Sequence, residues 1–335
     1  MKGVKIVKKV ECLYLSQEDI MSMNIGWDDI IARTEMACVE QANGTVECPP
    51  KRGVHTRKDS FIHEMPVWLK GMDACGIKWV SGYPANYNYD LPQILGVQIM
   101  NDPETGVPTC IMDCRWITAV RTSAASAITM KYCARKDSKK ICLVGAGVQG
   151  RMHLRAIKHV LPGLETCHIV DLKEDMLNAY VRDMPADTGC EVIPFTSVAE
   201  AAKDVDIIMT CTQKLQKPII PADVFKPGMI GGGLEAGRAW PAELIHGVDK
   251  VITDDLDQTL TYGTGGAFPG GLPQFYAQLG EIIQGKKPGR ESDDERILAF
   301  NIGFGAEDIS VGQLIVDKAI EMNIGQMLPL MEREL

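Results

Sequence analysis

The chain has 335 residues, 45% of them hydrophobic and 24% charged, a make-up that fits a globular protein of two ordinary domains and excludes a disordered or fibrous class. A formal net charge of -9 with scattered Lys and Arg excludes a nucleic-acid footprint, which needs clustered cations. No stretch reaches membrane-spanning length and the basic N-terminus MKGVKIVKK has no apolar run of signal length, so a cytoplasmic protein is expected.

The first 120 residues hold separated apolar segments such as KWVSGYP (78–84) and GVQIMND (96–102), with the turn formers Asp102 to Gly106 between apolar runs. That pattern predicts a mostly antiparallel sheet with flanking helices. From Ile117 to Tyr132, small and apolar residues at helical spacing predict a helix that carries the chain into a central domain. There KICLV (140–144) predicts a strand, Gly145 to Gly150 a glycine turn, and Met152, Leu154, Ile157 and Val160 a helix. A second strand, CHIV, ends at Asp171, and DMLNAYVRDM follows as a helix. EVIPF, SVAEAAKD, DIIMTCT, GMIGGG and DKVITDD continue the alternation, which predicts a parallel, doubly wound sheet. The last segment, DISVGQLIVDKAIEMNI, is expected to be a helix returning to the first domain. Eleven Cys without a CxxC pair and six His without ligand spacing read as free buried thiols and no metal site.

The glycine turn has the context that gives GxGxxG its meaning: a strand before it, a helix after it, and an acidic residue, Asp171, 21 positions beyond Gly150. Gly145 permits the turn, Gly147 lets the backbone approach a pyrophosphate, and Gly150 allows close packing of helix on strand. Val148 and Gln149 open that helix, whose N-terminus favours phosphate. Asp171 would accept from the adenosine ribose diol and repel a 2'-phosphate, which favours NAD over NADP. Lys173 partly offsets that repulsion.

The stretch RTSAAS (121–126), followed by LVGAGVQGRMH, resembles the RTxAxS segment and dinucleotide turn of the ornithine cyclodeaminase/mu-crystallin family. The resemblance extends over Pro49-Pro50-Lys51-Arg52, Met65-Pro66, GIKWV (76–80), Asp254-Asp255 and GFGAED (303–308). It implies an α/β fold in which a Rossmann doubly wound parallel sheet binds NAD at residues 121–305. A discontinuous α+β domain, 1–120 and 306–335, would bind substrate and form a homodimer. It also implies hydride transfer at the α-carbon of a small amino acid or its imine, in a cyclodeaminase, a dehydrogenase or a ketimine reductase. The alternative is a non-catalytic NAD-dependent binding protein like mu-crystallin, against which the retained Arg121, Lys78 and nearby carboxylate speak.

Carried over residue by residue, Arg121 and Arg52 match the arginines that bind the substrate carboxylate, although Lys51 takes the Arg52 position after a shift of one. Met65 would line the same site. Lys78, on a strand between Ile77 and Trp79, points into either solvent or a pocket, and the resemblance selects the pocket. Thr122, Thr212, Gly232, Gly233 and Gly303 would lie along the cofactor. The chain departs from the family after GMIGGG, where cyclodeaminases carry an Asp that handles the substrate amine. Counting from Glu243-Leu244 puts Gly237 there; matching the glycines puts Glu235 there, the alternative favoured here. The glycine-rich run Tyr262–Leu272 reads equally as a lid or a surface loop. His153 is expected in packing or at the surface, and His55 and His63 near the pocket wall.

Overall fold

The structure is a computed structural model that describes residues 9–213 and 215–332; the expectation for the extreme N-terminus falls largely outside these. The chain begins β1 (Val10–Leu15), α1 (Gln17–Ser22), α2 (Trp27–Ala42), β2 (Val46–Glu47), β3 (Arg52–Val54), β4 (Phe61–Leu69), β5 (Ala74–Gly82), β6 (Ile94–Asn101) and β7 (Pro108–Asp113). The long α3 (Arg115–Cys133) leads to β8 (Lys140–Val144), α4 (Val148–Val160), β9 (Thr166–Val170), α5 (Glu174–Thr188), β10 (Glu191–Phe195), α6 (Val198–Ala201) and β11 (Ile207–Thr210). Then follow β12 (Ile230–Gly233), α7 (Ala242–Ile245), β13 (Lys250–Thr253), α8 (Leu256–Thr264), β14 (Ala277–Gln278), α9 (Leu279–Ile283), β15 (Ile297–Phe300), α10 (Gly305–Met322) and β16 (Gln326–Met331).

The strands form two sheets. One runs β16-β1-β7-β6-β5-β4-β2, with β3 also paired to β4, and it is antiparallel except where β1 pairs parallel with β7. The other, β10-β9-β8-β11-β12-β15-β13-β14, is parallel throughout. Their burial differs as their sequences do. Strands β11, β12, β13 and β15 are buried at every position, as strands covered on both faces must be. Buried and less buried residues alternate along β5, because α10 covers one face of the first sheet and leaves the other open.

Helix α3 joins the two halves because small residues let it pack on both sides. Val120, Ala124 and Ile128 belong to the first sheet's core, and Ala127, Met130 and Cys133 to the parallel sheet's core. Helix α10 returns to the first sheet as expected, buried from Gly305 through Gly312. The segment 197–204, read as a helix, forms only the single turn of α6 before ending. β15 and β16 were not foreseen. β16 contains Pro329, which argues against a strand, but among the described residues it is an edge strand paired to β1 alone, where a missing N–H is tolerated.

α10 lies on the sheet through Gly312, where a Cβ would stand 1.8 Å from Gln98 Nε2. Gln98 is fully buried and its amide donates to the Asp308 carbonyl at 3.0 Å, so it has no room to swing aside. Gly312→Ala is therefore expected to cost about 1–3 kcal/mol by overpacking, read as a lower thermal midpoint. A midpoint at or above that of the unmodified protein would show that this contact does not seat the helix.

Candidate active site

Strands β8 and β11 are neighbours from which the chain departs in opposite directions, which makes a crevice at their carboxyl ends. Gly145 enters the turn there with φ +113°, and a side chain on it would strike the Cys211 carbonyl at 2.6 Å. A Cβ on Gly150 would stand 1.9 Å from the Gly145 carbonyl, so α4 presses against its own turn. Beside Gly147 the space is open. Gly147 caps α4 with no side chain to take its first N–H groups, and Val148 is exposed. Gln149 donates to the Thr118 carbonyl at 3.3 Å and so ties the turn to α3. Asp171 accepts from the Ala146 and Lys173 N–H groups at 2.7 and 2.8 Å, which fixes its carboxylate at the mouth of the crevice. Open space at an uncapped helix N-terminus, with a fixed acid at the next strand end, fits NAD.

A second constellation joins β5, α3 and α10. Register pairs Lys78 with Met65 on β4 and Gln98 on β6, so all three share the face beneath α10. Lys78 Nζ donates to Asp308 at 2.6 Å and lies 3.5 Å from the Thr118 hydroxyl. Arg121 donates through Nε to Asp308 at 2.9 Å and through Nη1 to Glu307 at 2.8 Å. Burial lowers the Lys78 pKa to about 8, with Asp308 resisting and Arg121 assisting. Burial likewise pushes the Glu307 carboxyl up to about 8 despite Arg121, whereas Arg121 and Lys78 outweigh burial at Asp308 and hold it below its ordinary value. Asp254 accepts from the Ile302 and Gly303 N–H groups at 3.0 and 2.6 Å, pinning that loop.

The structure separates the two candidates at the first strand of the site. Arg52 pairs with Glu64 in register and lies exposed on the outer face with Trp79 and Val97, so it does not join the cluster. Lys51 turns inward instead: its Nζ donates to the Ile302 carbonyl at 2.9 Å and lies 5.4 Å from the Tyr262 ring centroid. Met65 is buried against Val80 and Cys114. His63 lies on the inner face, its pKa driven to about 4 by burial and then by Lys51, His55 and Lys78. Gly303 meets Arg121: with φ +75°, its Cβ position lies 2.2 Å from Nη1.

Gly237 and Glu235 also part. A side chain at Gly237 would enter apolar packing 2.6 Å from Phe268 and 3.0 Å from Ile245, so no carboxylate belongs there. Glu235 is buried just beyond β12, and neither of its oxygens has a hydrogen-bond partner among the described residues. Burial raises its pKa to about 7; the Thr210 and Thr212 hydroxyls temper the rise without making a hydrogen bond of ordinary geometry. Gly232 and Gly233 are close-packed against Met209, Ala299 and Thr210, and Thr212 follows β11 at the crevice. Thr122 donates its hydroxyl to the Thr118 carbonyl at 2.7 Å. In the glycine-rich run, Ala267 and Phe268 are buried, and Phe268 packs on Phe275 and Phe300, so its middle is anchored. His153 is a buried packing residue that bridges the Gln149 carbonyl at 2.8 Å and the Ser126 hydroxyl at 3.0 Å. Glu307 and Asp308 were not assigned roles from sequence, although GFGAED marked their segment. A surface groove lies at the opposite strand ends, where Arg135 pairs with Asp206.

A folded-state pKa raised from 4.5 to about 7 means that the Glu235 contribution to stability is whole below pH 4.5 and lost as pH climbs to 7. Glu235→Gln does not titrate. It should gain on the unmodified protein by up to about 3 kcal/mol across that window and hold the gain above it, as measured by urea unfolding at a series of pH values. Parallel profiles for the two proteins would show that this carboxyl is not held in a desolvated site.

Comparison with known proteins fits this geometry. Over 94% of this chain and 98% of the relative, the sequence is 31% identical to the nodulation efficiency protein NfeD of Rhizobium meliloti. The Thermococcus litoralis Δ1-pyrroline-2-carboxylate reductase in complex with NADH and L-proline is 29% identical, with a TM-score of 0.83 over 94% of this chain and 99% of that one. An archaeal alanine dehydrogenase dimer with bound NAD is 28% identical, with a TM-score of 0.84 over 96% of this chain and 100% of that one. With residues 10–323 matched to it, the chain belongs to the ornithine cyclodeaminase/mu-crystallin family.

Proposed function

We propose that this protein is an NAD-dependent amino-acid dehydrogenase or imine reductase, acting at the α-carbon of a small amino acid or its imine with net consumption of cofactor. The observation that carries this reading is the pair of unlike sites beside one crevice: the buried cation cluster of Arg121 and Lys78, and the unpartnered carboxyl of Glu235. NAD, when bound, supplies the hydride acceptor or donor at the α-carbon. The chain's own residues do the rest. Arg121 and Lys78, with Lys51 in place of the expected Arg52, orient the substrate carboxylate by charge-assisted hydrogen bonds. Glu235, near neutrality in pKa, takes a proton from the substrate nitrogen in the oxidative direction or gives one to it in the reductive direction, the task for which a carboxyl needs such a value.

Sequence identity leans toward net redox chemistry over cyclodeamination: 29% and 28% to the pyrroline-carboxylate reductase and the alanine dehydrogenase, against 25% to a lysine cyclodeaminase that covers the chain as fully. The altered segment after β12, with Gly237 in apolar packing, supports the same choice. Substrate binding and dimerisation are assigned to 1–120 and 306–335, and NAD binding to 121–305. A homodimer is supported by the open face and edge of the first sheet, where Trp79, Val97, Met327, Leu328, Leu330 and Met331 are exposed. No helix among the described residues is long and apolar enough to cross a membrane; a cytoplasmic location is part of the proposal.

The test is a panel of amino and imino acids read for both NADH and ammonia. Stoichiometric change in NADH is expected with one substrate class, whereas ammonia released without net NADH would establish a cyclodeaminase. With the substrate found, Arg121→Ala should reduce kcat/KM by roughly thirtyfold to a thousandfold, the loss of a charge-assisted contact worth about 2–4 kcal/mol, and should also lower the thermal midpoint, because Glu307 and Asp308 lose their guanidinium. Lys51→Ala should raise KM, and Arg52→Ala should leave both constants near those of the unmodified enzyme. The reverse order of the last two would return the carboxylate site to Arg52.

A further inference from the structure

The connection between β5 and β6 is an arm built to hold its shape. The Tyr83 N–H donates to the Gln93 carbonyl at 2.9 Å across its base, the Asn86 side chain donates to the Pro92 carbonyl at 2.8 Å, and the Leu91 N–H donates to the Asn86 carbonyl at 3.1 Å. Between these bonds residues Pro84–Tyr89 form a 3-10 turn. The arm belongs to the first sheet, yet it touches the other half of the molecule at two places. Gln93 is hydrogen-bonded to Gln213, just after β11, and the Tyr87 ring lies 5.4 Å from Lys173 Nζ, just after β9. β9 and β11 are the two strands that flank β8, so both contacts are with the rim of the dinucleotide crevice.

We propose that Tyr87 sets the cofactor preference of this enzyme by holding the Lys173 ammonium on its ring, away from the adenosine ribose. The inference rests on the NAD site described above and on the sequence of the β9 exit. Asp171 alone would reject a 2'-phosphate, but Lys173, two residues on, is a cation on the same short turn, with its own N–H bonded to the Asp171 carboxylate at 2.8 Å. A lysine in that place, left free, would offset the acid and admit NADP. The aromatic face gives the ammonium another partner. Because the arm is internally braced, the backbone that carries the ring is held at the rim of the crevice, and a 2'-phosphate must draw the lysine off the ring. Tyr87 is well exposed and carries no load in either core, so it can be changed without disturbing the fold.

The test is to titrate NADH and NADPH separately into the protein and its variants, following cofactor fluorescence. The unmodified protein should prefer NADH. Tyr87→Ala should tighten NADPH by about two- to fivefold, the size expected of an exposed cation–π contact, while NADH changes by less than the NADPH gain. Tyr87→Phe keeps the ring and should match the unmodified protein. Adding Lys173→Ala to Tyr87→Ala should remove the gain. The proposal is overturned if Tyr87→Ala changes both cofactors alike, if Tyr87→Phe behaves like Tyr87→Ala, or if the gain survives without Lys173. An unmodified protein that binds neither dinucleotide would overturn the NAD site and this inference together.

Discussion

A guanidinium cannot be taken out of water without anions to receive it, and the burial of Arg121 imposes that demand on the middle of this molecule. Arg121 stands on α3, the helix that both cores share, so its partners must come from an element that reaches the same depth. Those partners are Glu307 and Asp308 in the first turn of α10, where the helix N-terminus also favours negative charge. Lys78 from β5 completes the group through Asp308. One buried cation thus explains why the C-terminal helix returns to the first sheet, why its first turn is acidic, and why the loop before it has a glycine at residue 303. Any larger residue there would meet the guanidinium.

The charge balance of this cluster bears on what it binds. Arg121 and Lys78 against Glu307 and Asp308 leave no net charge, so on the proposed function a substrate carboxylate would bring a third negative group into a dry site. Lys51 meets part of that demand from the β3 side, near Ile302 and Asp254. Glu307 meets another part, since burial raises its pKa against the pull of Arg121 and makes it the carboxyl readier to take up a proton as an anion enters, while Asp308, gripped by both cations, stays ionised. Two neighbouring carboxyls with opposite tendencies give the site a way to accept an anion without a large electrostatic penalty.

The parallel half of the fold was legible because its signals are local. GAGVQG lies between a strand and a helix, Asp171 closes the next strand, and fully apolar runs such as IIMT need no partner to be read. What escaped depended on facing. Lys51 and Arg52 are adjacent, and a one-residue shift along a strand exchanges the pocket for the outer surface; only the register with Glu64 decides between them. Gly303 was expected along the cofactor from the resemblance, and no sequence signal showed that it also makes room for the Arg121 side chain, which comes from a helix far earlier in the chain. The strand ILAF at 297–300 is as short and as apolar as IIMT and was legible but missed, whereas the strand at 326–331 contains Pro329, which spoke against it. Glu307 and Asp308 lie in a quoted motif, yet nothing local says that two acids face a cation from α3.

Glu235 illustrates why a departure from a family pattern carries more information than agreement with it. A carboxyl buried without a partner destabilises the fold as soon as it ionises, and the Thr210 and Thr212 hydroxyls and the backbone N–H groups of Thr212 and Glu235 do not offset its burial. If the segment after β12 had simply lost its acid, the cheapest sequence would place an apolar or small residue at 235, as it does at 236 and 237. Instead the chain keeps an acid there, and Ala236 adopts φ +59°, an unfavourable conformation for a residue with a side chain, in the same bend. Buried charge and backbone strain together at the carboxyl end of a parallel strand are costs that packing does not require, and the proton-handling role proposed for Glu235 gives a reason for a chain to carry them.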